Sequence, residues 1–293
     1  MTRLAGRMVH MVRRSLLILG VTSIAMGGAI LFLSHQTSTR GPLADSPARN
    51  PLLYAEITAS TSPGTAAVLP EEIRLPILVY HVVRPSYPSD SAAVRAIAVT
   101  PGNFDAEMKY LGDAGYHIVR FGDLEAYFAS STPLPPKPII LSFDDGWSDQ
   151  FKYAFPILEK DHYPATFFVF TNAIGHRGFL TWDELQQMVR AGMNIGDHTR
   201  SHPYLTMITS TSTLWGEIAM SKQILEQKLG IPINEFAYPF GLYNSDTISL
   251  VKEAGYKSAR GDYYHEGQSA SHLFSLPAMN APTTLSALKQ RFP

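Results

Sequence analysis

Short apolar runs alternate with amphipathic stretches from about residue 75 to the end of the chain. Six runs have the length and the β-branched or aromatic content of strands: residues 76–80, 117–119, 139–143, 165–170, 193–196 and 235–239. The stretches between them have helical spacing, which predicts helices near residues 100–115, 123–128, 181–192, 212–229 and 246–254. Repeated strand–helix units are typical of an α/β fold with a largely parallel sheet or barrel.

Local end signals support the helix predictions. Thr100 can cap the first helix, and Pro101 suits its first turn. Thr181 and Glu184 have the spacing of a capping box, in which each side chain bonds the backbone N–H of the other residue. Gly255 is a typical stop for the helix at residues 246–254.

The N-terminal part of the chain has a different pattern. Residues 15–34 contain no charged side chain, and the stretch is long enough to cross a hydrocarbon core of about 30 Å. Arginines in residues 1–14 keep the N-terminus cytoplasmic under the positive-inside rule. We therefore expect a single-pass anchor in the cytoplasmic membrane, with the rest of the chain outside the cytoplasm. A signal peptide that is cleaved to give a secreted protein is the alternative.

Residues 35–70 are rich in Ser, Thr, Ala, Pro and Gly and have no clear periodicity, which is typical of a flexible linker. The folded domain is expected to span residues 71–293. The formal net charge is −1 and no long basic stretch follows the N-terminus, so nucleic acid is not an expected partner. The sequence identifies no protein partner. Because the chain has no cysteine, any metal must be held by His, Asp or Glu.

An acidic pair, Asp144 and Asp145, directly follows the apolar run at residues 139–143. Since α/β folds place their chemistry at the carboxyl ends of strands, both carboxylates are expected there. His198 and His202 follow later in the chain, and on a helical turn two histidines four residues apart can share a cation. One of the two carboxylates would complete a two-histidine, one-carboxylate site with open positions for water and substrate. Zinc is the first candidate for this single divalent ion, with cobalt, nickel or manganese as alternatives.

These motifs resemble those of the polysaccharide deacetylase family, a carbohydrate esterase type that has the NodB-homology domain. The family motifs are Thr/Ser-Phe-Asp-Asp-Gly followed by His-Ser/Thr-x-x-His-Pro. This chain has Ser-Phe-Asp-Asp-Gly at residues 142–146 and His-Thr-Arg-Ser-His-Pro at residues 198–203. The resemblance extends from about Pro76 to the region around Pro277, and it implies a distorted (β/α) barrel of seven to eight units.

The resemblance also implies roles for the motif residues. Asp145, His198 and His202 would bind the metal, and Asp144 would be the base that activates the attacking water. A carboxylate that is not itself a metal ligand remains basic enough for that role.

A third family motif is present with one departure. It corresponds to Phe-Ala-Tyr-Pro-Phe-Gly at residues 236–241, where many members carry an arginine at the position of Ala237 that steadies the base. Which side chain contacts the base in this chain is therefore open. By the resemblance, Tyr238 is the candidate oxyanion contact, and Phe240 is a candidate contact for oxyanion or substrate.

The general acid is expected from the first strand. Leu-Val-Tyr-His at residues 78–81 resembles the Leu-x-Tyr-His motif of the poly-N-acetylglucosamine deacetylase subgroup, in which this histidine, here His81, is the acid. A structural histidine bonded to backbone is the alternative. Trp147 and Trp182 are candidates for stacking on sugar rings, with packing in the core as the alternative for each.

The predicted function is metal-dependent removal of N-acetyl groups from a β-linked N-acetylglucosamine polymer outside the cytoplasmic membrane, with poly-N-acetylglucosamine as the expected substrate. A peptidoglycan or chitooligosaccharide deacetylase would use the same residues. A non-catalytic glycan-binding module with the same fold is an alternative of another class. Hydrolysis of the glycosidic bond would need two carboxylates about 5–10 Å apart on either side of that bond, and no second acidic cluster stands out in the sequence.

Overall fold

The computed structural model describes residues 72–261 and 265–293. The predicted anchor, the predicted linker and Glu71 lie outside this range. Within the range, no helix combines the length and the apolar character that a membrane span requires.

Most strands in the described residues are two to four residues long. In chain order they are β1 (Ile73–Arg74), β2 (Ile77–Tyr80), β3 (Val82–Val83), β4 (Ala98–Val99), β5 (His117–Val119), β6 (Pro138–Phe143), β7 (Thr166–Val169), β8 (Asn194–Asp197), β9 (Glu235–Ala237), β10 (Ser258–Arg260), β11 (Gly267–Gln268) and β12 (Met279–Asn280).

Helices lie between many of these strands. They are α1 (Ala92–Ile97), α2 (Pro101–Asp113), α3 (Phe121–Ser130), α4 (Phe155–Lys160), α5 (Trp182–Arg190), α6 (Thr211–Leu229), α7 (Ser245–Glu253) and α8 (Leu285–Arg291). A π-helical turn, Gln150–Ala154, precedes α4, and 3-10 turns lie at Thr171–Ala173, Leu205–Met207, Pro239–Gly241 and Ala270–His272.

The predicted helix ends are confirmed. The Thr100 side chain accepts a hydrogen bond from the Asn103 N–H at the start of α2. Thr181 and Glu184 form the reciprocal capping box of α5. Gly255, directly after the α7 cap, has a φ of 82°, a left-handed conformation that glycine adopts without steric cost. The short-range signals in the sequence therefore set these boundaries.

The main sheet is parallel throughout, which confirms the α/β prediction. Its strands follow the order β10-β9-β8-β7-β6-β2-β12, and β5 also pairs with β6. Among the described residues, β10 and β12 do not pair directly. Instead, Leu276 forms a parallel bridge with Arg260 of β10, and β12 begins three residues later beside β2. The sheet is thus an incomplete barrel that irregular chain helps to close.

Side chains alternate across this sheet between two buried clusters, as expected for strands covered on both faces. In β2, Leu78 and Tyr80 belong to the larger cluster, which includes the apolar sides of the helices, while Ile77 and Val79 belong to the smaller cluster. The smaller cluster, called the inner cluster below, also contains one residue of β9, Ala237. This alternation decides which residues at the strand ends can meet.

Candidate active site

Asp144, His198 and Arg260 reach the site through strand alternation. Asp144 follows β6 with the parity of Ile140, an inner-cluster residue. Ile195 and Ala259 belong to the larger cluster. The even-numbered positions of β8 and β10 therefore point to the opposite face of the sheet, where the inner cluster lies. The three polar side chains therefore converge at the carboxyl ends of parallel strands, where the sequence places the acidic pair.

Asp145 leaves the strand alternation through a tight turn. Its φ is 72°, and that of Gly146 is 70°. A Cβ atom at Gly146 would lie 2.9 Å from Cγ1 of Val169, so a larger residue would both strain the backbone and collide with β7. The glycine of this motif lets the chain turn so that the two adjacent carboxylates point to different neighbours.

The histidine segment is a loop, so the prediction of a helical turn is wrong. Thr199 and His202 have positive φ values of 74° and 59°. The Asp197 carboxylate accepts a hydrogen bond from the Thr199 N–H at 2.7 Å, and the Thr199 hydroxyl accepts one from the His202 N–H at 2.9 Å. Short polar side chains that bond nearby backbone stabilise such turns in place of helical hydrogen bonds.

A buried carboxylate on α6 also holds this loop. Glu217 accepts hydrogen bonds from the backbone N–H and the hydroxyl of Ser201, both at 2.8 Å. The Glu217 carbonyl accepts a third bond, from the Arg200 N–H at 3.0 Å. The backbone between the two histidines is thereby fixed to a helix, which limits the movement of both imidazoles.

Asp145, His198 and His202 form a cluster with the geometry of a metal site. One ligand atom from each lies within 4.8 Å of the others. The Asp145 Oδ1 atom is 3.4 Å from Nε2 of His202 and 3.7 Å from Nε2 of His198, and the two Nε2 atoms are 3.2 Å apart. Two imidazole nitrogens and one carboxylate oxygen suit zinc and other first-row divalent ions.

The tautomer of His198 fits metal binding. Its Nδ1 lies 2.7 Å from the Ala237 carbonyl oxygen, so Nδ1 carries the proton and donates it, and the Nε2 lone pair points into the cluster. Burial lowers the pKa of His198, which favours the neutral imidazole that a metal requires.

Asp144 lies beside this cluster and is held by a different group. Its Oδ2 atom is 4.0 Å from Nε2 of His198, and its Oδ1 atom accepts a hydrogen bond from the guanidinium of Arg260. Burial alone would raise the pKa of Asp144, but the charge of Arg260, with smaller contributions from His198 and His81, holds it below its ordinary value. The buried carboxylate is therefore ionised at neutral pH.

Arg260 takes the place of the arginine that many family members carry at the position of Ala237. In the β9–β10 ladder, Arg260 is the direct partner of Ala237, so an arginine one strand away reaches the same carboxylate. Its guanidinium also lies over the ring of Phe168, 4.7 Å from the centroid, and the side chain is 1% exposed. The sequence analysis missed this residue, although an arginine at the end of a strand of small residues, Ser258 and Ala259, was a usable signal.

His81 lies on the other side of Asp144. The distance from its Nε2 atom to Oδ2 of Asp144 is 4.0 Å, and its side chain is partly exposed. Gln150, which the sequence analysis did not single out, donates from Nε2 to the carbonyl oxygens of both His81 and Asp144, at 2.8 and 2.6 Å. One buried amide thus fixes the backbone of the two residues relative to each other.

The two tryptophans have different positions. Trp147 is partly buried, donates to Oδ2 of Asp145 at 3.0 Å and stacks on Phe179 at 4.6 Å between ring centroids. It therefore orients the carboxylate of the metal cluster. Trp182 packs against the larger core cluster, in agreement with the packing alternative.

Tyr238 does not suit the role of oxyanion donor. Its hydroxyl donates to the Phe274 carbonyl at 3.0 Å, and its backbone N–H donates to the Arg260 carbonyl at 3.0 Å. The side chain is 1% exposed, so this candidate is better described as a structural residue that holds β9 against β10. Phe240, by contrast, is 45% exposed, and its ring centroid lies 4.6 Å from that of His202.

Comparison with known proteins gives consistent results. Residues 131–259 match the family model for polysaccharide deacetylase. A Bacillus subtilis (strain 168) protein named as a polysaccharide deacetylase is 27% identical over 241 residues, which is 80% of this chain and 83% of that protein.

Two further proteins extend the comparison. The poly-β-1,6-N-acetyl-D-glucosamine N-deacetylase of Staphylococcus aureus (strain MRSA252) is 27% identical over 184 residues, which is 58% of this chain and 62% of that protein. The solved structure of a Streptococcus pyogenes deacetylase in complex with acetate has a TM-score of 0.69 at 27% identity. That match covers 75% of this chain and 99% of the streptococcal chain.

Proposed function

The chain belongs to the polysaccharide deacetylase family, and from that premise we propose that it is a metal-dependent enzyme that removes N-acetyl groups from a β-linked N-acetylglucosamine polymer. One observation carries the proposal. The Asp145–His198–His202 cluster lies next to a buried carboxylate, Asp144, that is paired with an arginine. A binding module would gain nothing from an ionised base beside a set of metal ligands.

The cluster would hold one divalent ion, with zinc as the first candidate. When bound, the ion would supply Lewis acidity, which polarises the acetamide carbonyl and makes water a stronger acid. The fixed Nδ1–H of His198 and the indole N–H on Asp145 orient two of the three ligands, and such outer contacts tune both affinity and geometry.

Asp144 would accept a proton from the water that attacks the acetamide carbon. Because Arg260 holds the pKa of Asp144 below its ordinary value, the carboxylate is ionised and can accept the proton at neutral pH. Its hydrogen bonds to the protein leave Oδ2 facing His81 and His198. The oxygen that faces the cluster is therefore the one placed to act as base.

His81 would donate a proton to the nitrogen as the carbon–nitrogen bond breaks, so that acetate and an amine on the sugar are released. Its imidazole lies close to Asp144 and is partly exposed, where a substrate can reach it. The two groups would thus act on the same acetamide as base and acid, a division of roles common in amide hydrolysis.

The identity of the glycan is proposed from the sequence of β2 and from the relatives. The Leu-Val-Tyr-His motif at residues 78–81 is typical of the poly-N-acetylglucosamine type, and the staphylococcal relative is named for a β-1,6-linked polymer. Peptidoglycan and chitooligosaccharides are the alternative substrates. The uncharged segment at residues 15–34 supports a membrane-anchored enzyme that meets its polymer outside the cytoplasm.

Acetate release by the full chain with added zinc tests the function. The substrates are β-1,6-linked and β-1,4-linked N-acetylglucosamine oligomers and peptidoglycan. We expect release from the β-1,6 oligomer. Release from peptidoglycan or the β-1,4 oligomer alone would favour the alternative deacetylases, and a metal-loaded protein that is inactive on all three would favour the glycan-binding module.

A further inference from the structure

The backbone segments that carry the proposed acid and the proposed base leave the sheet side by side. β2 and β6 pair as far as Tyr80 and Phe143. The Asp144 N–H donates to the Tyr80 carbonyl at 2.9 Å, and Asp145 then turns away with a φ of 72°. The regular pairing of the two strands thus ends one residue before His81 and Asp144.

Gln150 connects the two segments beyond this point. Its Nε2 atom donates to the carbonyl oxygen of His81 at 2.8 Å and to that of Asp144 at 2.6 Å. A primary amide carries two hydrogens on one nitrogen, so it can hold two chain segments at once. The side chain is 0% exposed, and a hydrogen bond away from water is stronger than one in contact with it. The carbonyls of the proposed acid and base are therefore tied to one buried group.

A π-helical turn holds Gln150 in this position. The Phe155 N–H donates to the Gln150 carbonyl five residues back, where an α-helix would use the carbonyl four residues back. Pro156 comes next and has no N–H to donate to the Lys152 carbonyl. The Gln150 N–H donates to the Trp147 carbonyl at 3.0 Å. Both backbone groups of Gln150 are thus bonded, and turns of this kind are frequent at functional sites.

The bridge lies close enough to the proposed chemistry to control its geometry. The Nε2 atom of His81 is 4.0 Å from Oδ2 of Asp144, and Gln150 holds the backbone carbonyl of each residue. An acid that protonates the amide nitrogen and a base that activates the attacking water must suit one acetamide at the same time. Movement of either segment would change the distance between the two groups.

We propose that Gln150 is a positioning residue that sets the distance between the general acid His81 and the general base Asp144. The proposal rests on the proposed function and adds to it a residue outside the motifs that carry the family resemblance. Gln150 acts through the backbone of the two groups, without contact to the substrate. Its loss should therefore slow the bond-breaking step and leave metal and substrate binding in place.

Kinetics of Gln150→Met in the full chain, at saturating zinc and on a glycan that the wild type deacetylates, test the proposal. Methionine retains the length of the side chain and removes both N–H donors. We expect kcat to fall by about 100-fold, the effect of a misplacement of about 1 Å, with little change in KM. Zinc affinity, measured by calorimetry, should be unchanged. A loss confined to KM or to zinc affinity would overturn the proposal.

Gln150→Asn provides a second variant if Gln150→Met does not fold. It retains an amide on a side chain that is one methylene shorter, so the amide cannot reach both carbonyls in the same way. Its kcat should also fall, at unchanged zinc affinity. Wild-type kcat in a folded Gln150→Asn that has lost either hydrogen bond would count against the positioning role.

The chain offers a matched control at the other end of β2. Gln268 is also 0% exposed, and its Nε2 atom donates to the carbonyl oxygens of Leu75 and Pro277, at 3.1 and 3.0 Å. Leu75 precedes β2 and Pro277 precedes β12, so this bridge lies at the amino ends of two parallel strands, opposite the active site. Gln268→Met should lower Tm as Gln150→Met does and retain the wild-type kcat. Equal falls in kcat would show that Gln150 acts only through stability.

A double-mutant cycle identifies the group through which Gln150 acts. His81→Ala removes the acid, so the alignment of the acid with Asp144 no longer affects the rate. In this background Gln150→Met should lower kcat by no more than about tenfold, because the effects of coupled residues are not additive. A fall as large as that in the wild-type background would contradict the proposal.

Crystal structures of the full-chain variants separate this proposal from the proposed function. If the wild type releases no acetate from any glycan, the proposed function fails, and the geometry of Gln150→Met still decides the positioning role. We expect its distance between Nε2 of His81 and Oδ2 of Asp144 to differ from the wild-type distance by more than about 0.5 Å, the tolerance of a preorganised site. Gln268→Met should retain the wild-type distance. An unchanged distance in Gln150→Met would overturn the proposal.

Discussion

The two sides of the site differ in exposure. The loops after β6 and β8 form one side, and buried partners hold its polar groups. The loop after β9 forms the other side, and the ring of Phe240 is exposed to solvent there. Asp144 is 4% exposed and His198 2%, while Phe240 is 45% exposed. Groups that take part in bond breaking need fixed positions and little water. Groups that recognise a polymer need access. The difference in exposure separates the buried groups around the metal cluster from a ring that solvent and ligands can reach.

The buried side also depends on residues outside the motifs. Glu217 holds the loop between the two histidines, Gln150 joins the backbone of His81 to that of Asp144, and Arg260 pairs with Asp144. If these contacts preorganise the chemistry, their loss should affect catalysis or metal binding more than the loss of an exposed side chain does.

The largest effect is expected from Asp144→Asn, which retains size and removes the base. Acetate release should fall by about 10²–10⁴-fold, the usual contribution of a general base. Zinc binding, measured by calorimetry, should be unchanged because Asp144 is not in the ligand cluster. Activity within a factor of about three of the wild type would show that another group is the base.

Arg260→Met should have the next largest effect. It leaves Asp144 buried without its guanidinium partner, and breaking a buried pair in this way costs about 3–5 kcal/mol. We expect a lower Tm and a fall in kcat, both measured on the purified chain.

Arg260→Lys is the matched control, since it retains the charge and should recover part of each loss. If Met and Lys variants are equally impaired in kcat at equal Tm, the positive charge does not support the base, and the arginine acts through its shape.

Glu217→Gln should have a smaller effect that falls on metal affinity. The variant retains side-chain size, but its amide cannot accept both hydrogen bonds from Ser201 as the carboxylate does. Outer contacts of metal ligands contribute about 10–100-fold to affinity, and we expect zinc binding to weaken by about tenfold. Glu253→Gln on α7, an exposed position, serves as the control. Unchanged zinc affinity in the Glu217 variant would mean that the loop keeps its shape without this contact.

The smallest effect on activity is expected from the core below the site, where a substitution should change stability and its pH dependence. Burial raises the pKa of Glu107 from 4.5 to about 8. Among the described residues, only the Tyr80 hydroxyl donates a hydrogen bond to its carboxyl group, at 3.1 Å. Because the folded-state pKa is raised, folding favours the protonated form, and stability falls as pH rises from about 4.5 to about 8. The maximum slope is about 1.4 kcal/mol per pH unit.

Glu107→Gln removes this ionisation. Its Tm should therefore fall less than that of the wild type between pH 5 and pH 8, with the two proteins closest at pH 5. Other buried acids with raised pKa values, such as Asp197 and Glu235, are present in both proteins and cancel in the comparison. Parallel Tm curves for the two proteins would show that the pKa of Glu107 is not raised in the folded protein.

The fold was predictable where local signals determine it. The strand at residues 138–143 and the capped helices α2 and α5 follow from apolar runs, a threonine cap and a capping box, which act within a few residues. The closure of the barrel was not predictable from such signals, because the Leu276 bridge to Arg260 depends on tertiary packing of an irregular segment.

The residues of the site were predictable from the sequence, but the backbone geometry that brings them together was not. The motif residues lie together as expected, but the histidines reach their positions through a loop with positive φ values, since Asp197 and Thr199 bond the backbone there. Periodicity cannot reveal that geometry. Arg260 and Glu217 were missed because their partners lie far away in sequence and no spacing rule connects them.

The central claim is that the Asp145–His198–His202 cluster binds the ion on which deacetylation depends. Its most direct test is acetate release from an N-acetylglucosamine polymer by chelator-treated full chain, measured as zinc is returned. The account predicts no release without metal and a rate that rises and levels off at one zinc per chain, with no recovery in His198→Gln. Full activity of the metal-free protein, or zinc-restored activity in His198→Gln equal to that of the wild type, would contradict it.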